Sequence, residues 1–269
     1  MSYPFGPITS ILRHRELLLQ FLIRDIESKY RGTYLGGLWI VLQPILMLVL
    51  YTFVFGFVFN GRFKEEGTET TLQYALGIYL GLNLFQFLSE VLSISPTIVQ
   101  QNRNLVKKVV FPLEILPIVT VGSSSVYFFI SQGLAILASF FIGEMTIIGL
   151  IWVLVIYLPF VLLCLGVSWF VSAIGVFVTD TSSFMRFSVM ALMFASAVFY
   201  PAKDIPIEAW SILKFNPLIH VIEMSRSIIL WDEKVGYGQI AYLYVSSILI
   251  FLFGYLIYRK LAKYYADVL

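Results

Sequence analysis

The chain has 269 residues, of which 59% are hydrophobic and only 13% charged, and its mean hydropathy is +0.88. A soluble domain carries about 25% charged residues, so an ordinary soluble fold is excluded and the chain reads as an integral membrane protein. Its net charge of +2 says little as a total, because the placement of Lys and Arg carries the information in a membrane protein.

At the start, Leu18, Leu22, Ile26 and Tyr30 recur every four residues and give a helix one apolar face. Arg24, Asp25, Glu27, Lys29 and Arg31 cover the rest, so this helix is expected to lie at a membrane surface rather than cross it. No continuous apolar run with a small-residue cleavage site precedes Leu38, so no cleavable signal peptide is expected. Residues 1–37 thus form an interfacial region, and residues 38–269 a membrane domain without internal repeats.

Apolar segments near the about 20 residues that a span needs fall at Leu38–Phe59, Leu72–Ser95, Leu113–Ile142, Ile147–Val178, Phe184–Tyr200 and Ile240–Tyr258. The fifth is short and ends at Pro201. Cys164 lies inside the fourth and, as the single cysteine, excludes an internal disulfide. Residues 201–238 mix Pro201, Pro206 and Pro217 with Lys203, Asp204, Glu208, Lys214, Glu223 and Arg226. The pattern predicts short helices re-entering from the outer side, with an ordinary folded loop as the alternative. The fold class expected is all-α, with six transmembrane helices.

Orientation follows from the loops. Arg13, Arg15, Arg24, Lys29 and Arg31 precede the first span, Arg103, Lys107 and Lys108 follow the second, and Arg259, Lys260 and Lys263 follow the last. The opposite side carries Glu65, Glu66, Glu69 and Glu144, with Arg62 and Lys64 as the minority. By the positive-inside rule both termini are cytoplasmic.

Catalytic motifs are absent. No G-x-x-x-x-G-K-[ST] is present to hold nucleotide phosphates, no H-E-x-x-H occurs, and Gly166-Val167-Ser168-Trp169-Phe170 fails G-x-S-x-G at its last position. His14 and His220 are isolated, so no metal site is expected. Glu90 and Glu114 stand out as ionisable groups in the spans, which argues against ion coupling through mid-membrane carboxylates. Glu90 is either a relay residue or a carboxylate that reaches the interface or pairs with a nearby cation.

In the loop 96–112, Leu105, Val109 and Pro112 fall on one side while Arg103, Lys107 and Lys108 stay solvated. Such a basic helix either docks into a soluble partner or only fixes topology. The first span carries Tyr51, Phe53, Phe55, Phe57 and Phe59, and the fifth carries Phe184, Phe187, Phe194, Phe199 and Tyr200. These rings either stack on the C–H faces of sugars or anchor in lipid. A membrane-embedded glycan-modifying transferase would have to use Asp204, Glu208, His220 and Glu223, which show no catalytic spacing.

Taken in order, Lys29-Tyr30-Arg31, Tyr34-Leu35-Gly36-Gly37-Leu38-Trp39, Gln43-Pro44, the run from Leu105 to Pro112 with Lys107-Lys108 and Phe111-Pro112, and Phe215-Asn216-Pro217-Leu218 carry a resemblance over essentially the whole chain. The chain resembles the permease subunit of polysaccharide ABC exporters, the ABC-2 type transporters that export O-antigen, capsule or teichoic acid chains. The resemblance implies a homodimer of six-span subunits on two copies of a separate ATPase. That ATPase would hold ATP and magnesium, this chain itself holding no cofactor. It further implies a lipid-linked polysaccharide as cargo, a bacterial inner membrane as location, lipid contacts and no nucleic acid.

By the same resemblance Arg24, Asp25, Lys29, Arg31, Asn102, Arg103, Lys107 and Lys108 would contact the ATPase. The channel would run along the dimer interface, lined by Tyr51, Phe55, Phe59, Phe187, Phe194, Phe199 and Tyr200. The family often has Arg-Asp after the fourth span, where this chain has Thr179-Asp180. Asp180 is left to cap the next helix or to meet the ATPase. A small lipid or drug is the alternative cargo for the same fold.

Overall fold

A computed structural model describes residues 14–59, 63, 70–108, 112–142 and 146–269, without the side chains of Phe59, Lys108 and Ile142. Of the charges used for orientation, Arg13, Arg62, Lys64, Glu65, Glu66, Glu69 and Glu144 lie outside the described residues, as do Val109 and Phe111 of the basic loop. Every described element is helical.

Helix α1 (Arg15–Tyr30) precedes the first span, which is a short 3-10 turn, then α2 (Trp39–Tyr51), then a π-helical stretch over Thr52–Phe59. The second span, α3 (Thr71–Ile94), starts in a capping box in which Thr70 and Gln73 satisfy each other's backbone N–H groups. The basic loop folds as α4 (Ile98–Gln101) and α5 (Arg103–Lys108), and α6 (Ile115–Ile142) and α7 (Ile147–Phe177) follow as a long pair. Then come α8 (Thr181–Phe194), α9 (Ile207–Leu213), α10 (Pro217–Trp231), α11 (Tyr237–Leu261) and the terminal turn α12 (Tyr265–Val268).

Five helical segments among the described residues are long and apolar enough to cross a membrane: Gly36–Val58, Thr71–Gln101, Ile115–Phe141, Ile147–Phe177 and Tyr237–Val268. The fifth segment expected from the sequence is different. Helix α8 has 14 residues. At 1.5 Å per residue that is about 21 Å, against a hydrocarbon core of about 30 Å. It stops because Ala195 leaves the helix and Ala197 takes a left-handed φ of 51°.

Helices α7 and α11 nevertheless run parallel. Tyr244 donates to the Val155 carbonyl at 2.9 Å, Gly254 meets Gly166, Trp169 packs edge-on against Phe251 and Tyr255, and Phe177 lies against Tyr265. Contacts that rise together along both helices mean that residues 178–236 carry the chain back from one end of the bundle to the other. The return is made by α8, α9 and α10 in pieces.

The α7–α11 seam is a backbone contact. A Cβ on Gly254 would lie 1.9 Å from the Gly166 carbonyl oxygen, and one on Gly166 would lie 2.5 Å from that of Ile250. Small residues at such a crossing let two apolar helices approach, because lipid offers no hydrophobic drive to bring them together. Gly175 is equally tight against Pro96, where a Cβ would sit 2.1 Å from the carbonyl oxygen. Gln100 donates to the Gly175 carbonyl at 2.8 Å, so the second span and α7 are fastened next to the basic loop.

Candidate functional site

One end of the bundle collects the described basic segments. Helix α1 lies on α6, and a Cβ on Gly122 would be 2.8 Å from Leu22 Cδ1, so Leu22 occupies the notch that this glycine leaves. Leu18, Leu22, Ile26 and Tyr30 are all half-buried, as their spacing predicts. Lys29 Nζ lies 2.6 Å from Glu90 Oε1, which ties α1 to α3 as well. Of the two readings of Glu90, the structure therefore has the carboxylate paired with a cation. Burial and the neighbouring Glu90 carboxylate push the Tyr30 phenol upward, which keeps it neutral. Lys29, Tyr30, Gln43, Gln86, Glu90 and Tyr127 line a cavity of about 250 Å³ at this junction of α1, α2, α3 and α6.

Arg24 and Arg31 are exposed, with Arg24 stacked 4.5 Å above the Phe21 ring, and Asp25 is half-buried. The break between α4 and α5 is Asn102, whose side chain donates to the Ile98 carbonyl at 2.9 Å. Past it, Arg103 and Lys107 point to solvent, while Leu105 is half-buried and Val106 packs into a cluster with Trp169, Tyr258 and Tyr265. Leu18 reaches the same cluster, so α1, α5 and α12 converge around it. The side chain of Lys108 lies outside the description.

Asp180 follows the end of α7. It is exposed, and its side chain makes no capping bond, although its backbone carbonyl accepts from Ser183 and Phe184. The expected capping role is therefore taken by its carbonyl. No hydrogen bond among the described residues joins it to α1 or α5. Arg186, one turn further on, donates to Ser183 at 2.9 Å and adds an ionisable group to the fifth apolar segment that the charge reading passed over.

At the opposite end the chain is organised by Arg226, which is 1% exposed. Its guanidinium donates to the carbonyls of Gly77 at 3.0 Å and Ala197 at 2.9 Å, to that of Val198, and to Glu223 at 2.9 Å, with Phe63 4.2 Å beneath it. These bonds hold α10, α3 and the turn after α8 together. Gly81 makes room, since a Cβ there would lie 2.8 Å from Arg226 Nη2. Asn216 does a second piece of joining. It caps α10 by accepting from Leu218 at 3.0 Å and donates to Ala195 at 2.9 Å. That double bond is what Asn216 with Pro217 contributes to the quoted motif.

The aromatic residues divide into two groups. Tyr51 meets Phe55 at 6.0 Å and Tyr79 at 6.3 Å, and Phe55 meets Phe199 at 6.0 Å, so these rings form a chain facing α3. Phe187 and Phe194 point outward beside Phe184 and Met190. Tyr200 is half-buried and donates to the Phe194 carbonyl. The backbone of Phe59 ends the π-helical stretch, and its ring is not described.

The sequence reading counted Arg226 only as a loop charge and missed Tyr79. Two signals pointed at Arg226: it stands one turn after Glu223 on a helix with a largely apolar remainder, and Gly77 and Gly81 lie four residues apart on α3.

Comparison with known proteins fits this arrangement. The model of the ABC-2 type transporter family matches residues 16–230. An O-antigen export system permease protein RfbA of Klebsiella pneumoniae is 24% identical over 255 residues, 94% of this chain and 95% of that protein. The RfbA of Myxococcus xanthus is 23% identical over 223 residues, 82% and 83% of the two chains. The polysialic acid transport protein KpsM of Escherichia coli is 22% identical over 239 residues, 88% and 90% of the two. The family match runs from α1 to α10 and takes in most of the chain, which belongs to the ABC-2 type transporter family.

Proposed function

We propose that this chain is the membrane subunit of an ATP-driven exporter that moves a lipid-linked polysaccharide, O-antigen-like in kind, across the inner membrane of a bacterium. In this reading two copies form the channel, and two copies of a separate ATPase bind ATP with magnesium. The basic end faces the cytoplasm, in keeping with the positive-inside rule.

The observation that carries the reading is the convergence of α1 and α4–α5 at one end, each keyed into the spans. Leu22 fits against Gly122, Lys29 pairs with Glu90, and Gln100 bonds to the Gly175 carbonyl. Exposed Arg24, Arg31, Arg103 and Lys107 stand on the solvent side of these segments. A partner that closes on ATP would push on these helices, and the push would reach α3, α6 and α7 directly. Asp180, exposed and close in sequence to Gly175 and Phe177, is a further candidate contact at that end.

The relatives named for O-antigen and polysialic acid transport align with this chain over most of its length, which supports a glycan cargo. A sugar chain presents hydroxyls and C–H faces rather than concentrated charge. A path walled by Phe187, Phe194 and their neighbours on α8, with Tyr51, Phe55, Phe199 and Tyr200 behind them, suits such a cargo better than an ion. Changing Lys107 and Lys108 to alanine should leave ATP hydrolysis running while surface glycan disappears. Normal export by that double variant would remove the coupling role.

A further inference from the structure

A further cavity lies at the end away from the basic segments, beside the Arg226 network. It has a volume of about 470 Å³ and is walled by Lys203, Trp210, His220, Glu223, Lys234 and Gln239. That volume falls in the range of about 300–1,000 Å³ usual for small-molecule sites. We infer that it is an oligosaccharide-binding site, in which a pyranose ring lies on Trp210 and its hydroxyls bond to Glu223, Gln239 and the lysines.

The walls are held in place before any ligand arrives. His220, Glu223 and Ser227 lie at i, i+3 and i+7 on one face of α10, all within the lining. Glu223 is fixed by its 2.9 Å bond to Arg226, itself anchored on α3 and the Ala197 turn. The His220 ring lies with Nε2 2.8 Å from the Lys214 carbonyl and edge-on to Tyr242 at 5.0 Å. A carbonyl only accepts, so in the neutral ring Nε2 carries the proton and Nδ1 is an acceptor.

The lining groups choose the ligand class. Glu223 is bonded to Arg226, while Lys203, Lys234 and Gln239 add exposed polar groups around it. The cavity therefore offers several donors and acceptors, which suits the ring of hydroxyls of a sugar. Trp210, half-buried on α9, supplies the broad apolar plane on which the C–H face of a sugar makes its dispersion contacts. No metal is needed, since sugar hydroxyls are satisfied by these side chains.

The site rests on the exporter reading only for its purpose, which would be to hold the glycan as it leaves. It is tested separately. The chain with its ATPase in lipid nanodiscs is titrated with maltotetraose, and with sorbitol as an acyclic polyol, by saturation-transfer NMR. Maltotetraose should bind saturably, and sorbitol should not. Trp210→Ala should weaken binding about tenfold or more, Trp210→Phe should keep most of it, and the exposed Gln239→Ala should cost about threefold. No saturable binding, equal binding of sorbitol, or affinity unchanged in both Trp210→Ala and Gln239→Ala would overturn the site. A complex that exports glycan yet binds no maltotetraose would end this proposal and leave the exporter standing. Sugar binding by a chain that assembles with no ATPase would do the reverse.

Discussion

Lys29 on α1 and Glu90 on α3 meet at 2.6 Å, across 61 residues of sequence, and each side chain is less than one-third exposed. The pair links the surface helix to the middle of the bundle's basic end. As a partly solvated ion pair it is worth only about 1 kcal/mol of stability, so its value lies in holding α1 in register. Lys29→Glu should loosen α1 and reduce export, and Lys29→Glu combined with Glu90→Lys should restore much of both. Hydrogen exchange over residues 15–30 in the assembled complex reads the docking. Unchanged protection in the single variant would contradict the linkage.

Arg226 is a stability residue first. Removing it takes the donor from the Ala197 carbonyl and leaves Glu223 without its cation. Arg226→Leu should cost about 3–5 kcal/mol, and Arg226→Lys should rescue little because a single ammonium cannot reach several carbonyls in a plane. Gly81→Ala should damage the same place by pressing on the guanidinium. Thermal unfolding of the purified protein checks all three, and a wild-type midpoint in Arg226→Leu would refute the hub.

The glycines make opposite predictions. Gly254→Ala puts a methyl 1.9 Å from the Gly166 carbonyl oxygen and should separate α7 from α11, with severe loss of folded protein. Gly133, inside α6, has nothing within 4 Å of its Cβ position. Gly133→Ala should therefore be neutral or stabilise by up to about 1 kcal/mol. Expression and melting of the two variants side by side would settle the seam.

The two aromatic groups should also separate. Phe55 packs on Tyr51 and Phe199, so Phe55→Ala should lower stability by about 3 kcal/mol through the cavity it leaves. Phe187 and Phe194 are 68% and 61% exposed and should cost little stability as alanines. If they face the cargo, their loss lowers export alone. A melt and a surface-glycan assay on each variant distinguish the groups, and a large stability loss in Phe187→Ala would count against this division.

Much of the basic end was legible because it is local. The four-residue spacing of Leu18, Leu22, Ile26 and Tyr30 marks a helical face wherever the helix lies, and the structure half-buries that face. A cation for Glu90 was foreseeable, since a carboxylate near a span end needs one, but only the fold names Lys29. The opposite end was less legible. Where α8 stops depends on the turn at Ala197, which Arg226 and Asn216 hold from 29 and 21 residues away. The π-helical winding of Thr52–Phe59 leaves no sign in an apolar run, whose composition suits either helix. Trp210 and the pair Lys234 and Gln239 come from separate stretches, so no spacing could have joined them.

The measurement that tests the central claim most directly is purification of the tagged chain from its native membranes in mild detergent, with mass spectrometry of the proteins that accompany it. The account predicts a soluble P-loop ATPase in a one-to-one ratio with this chain. A chain that purifies without any ATPase, while surface glycan is still made, would contradict it.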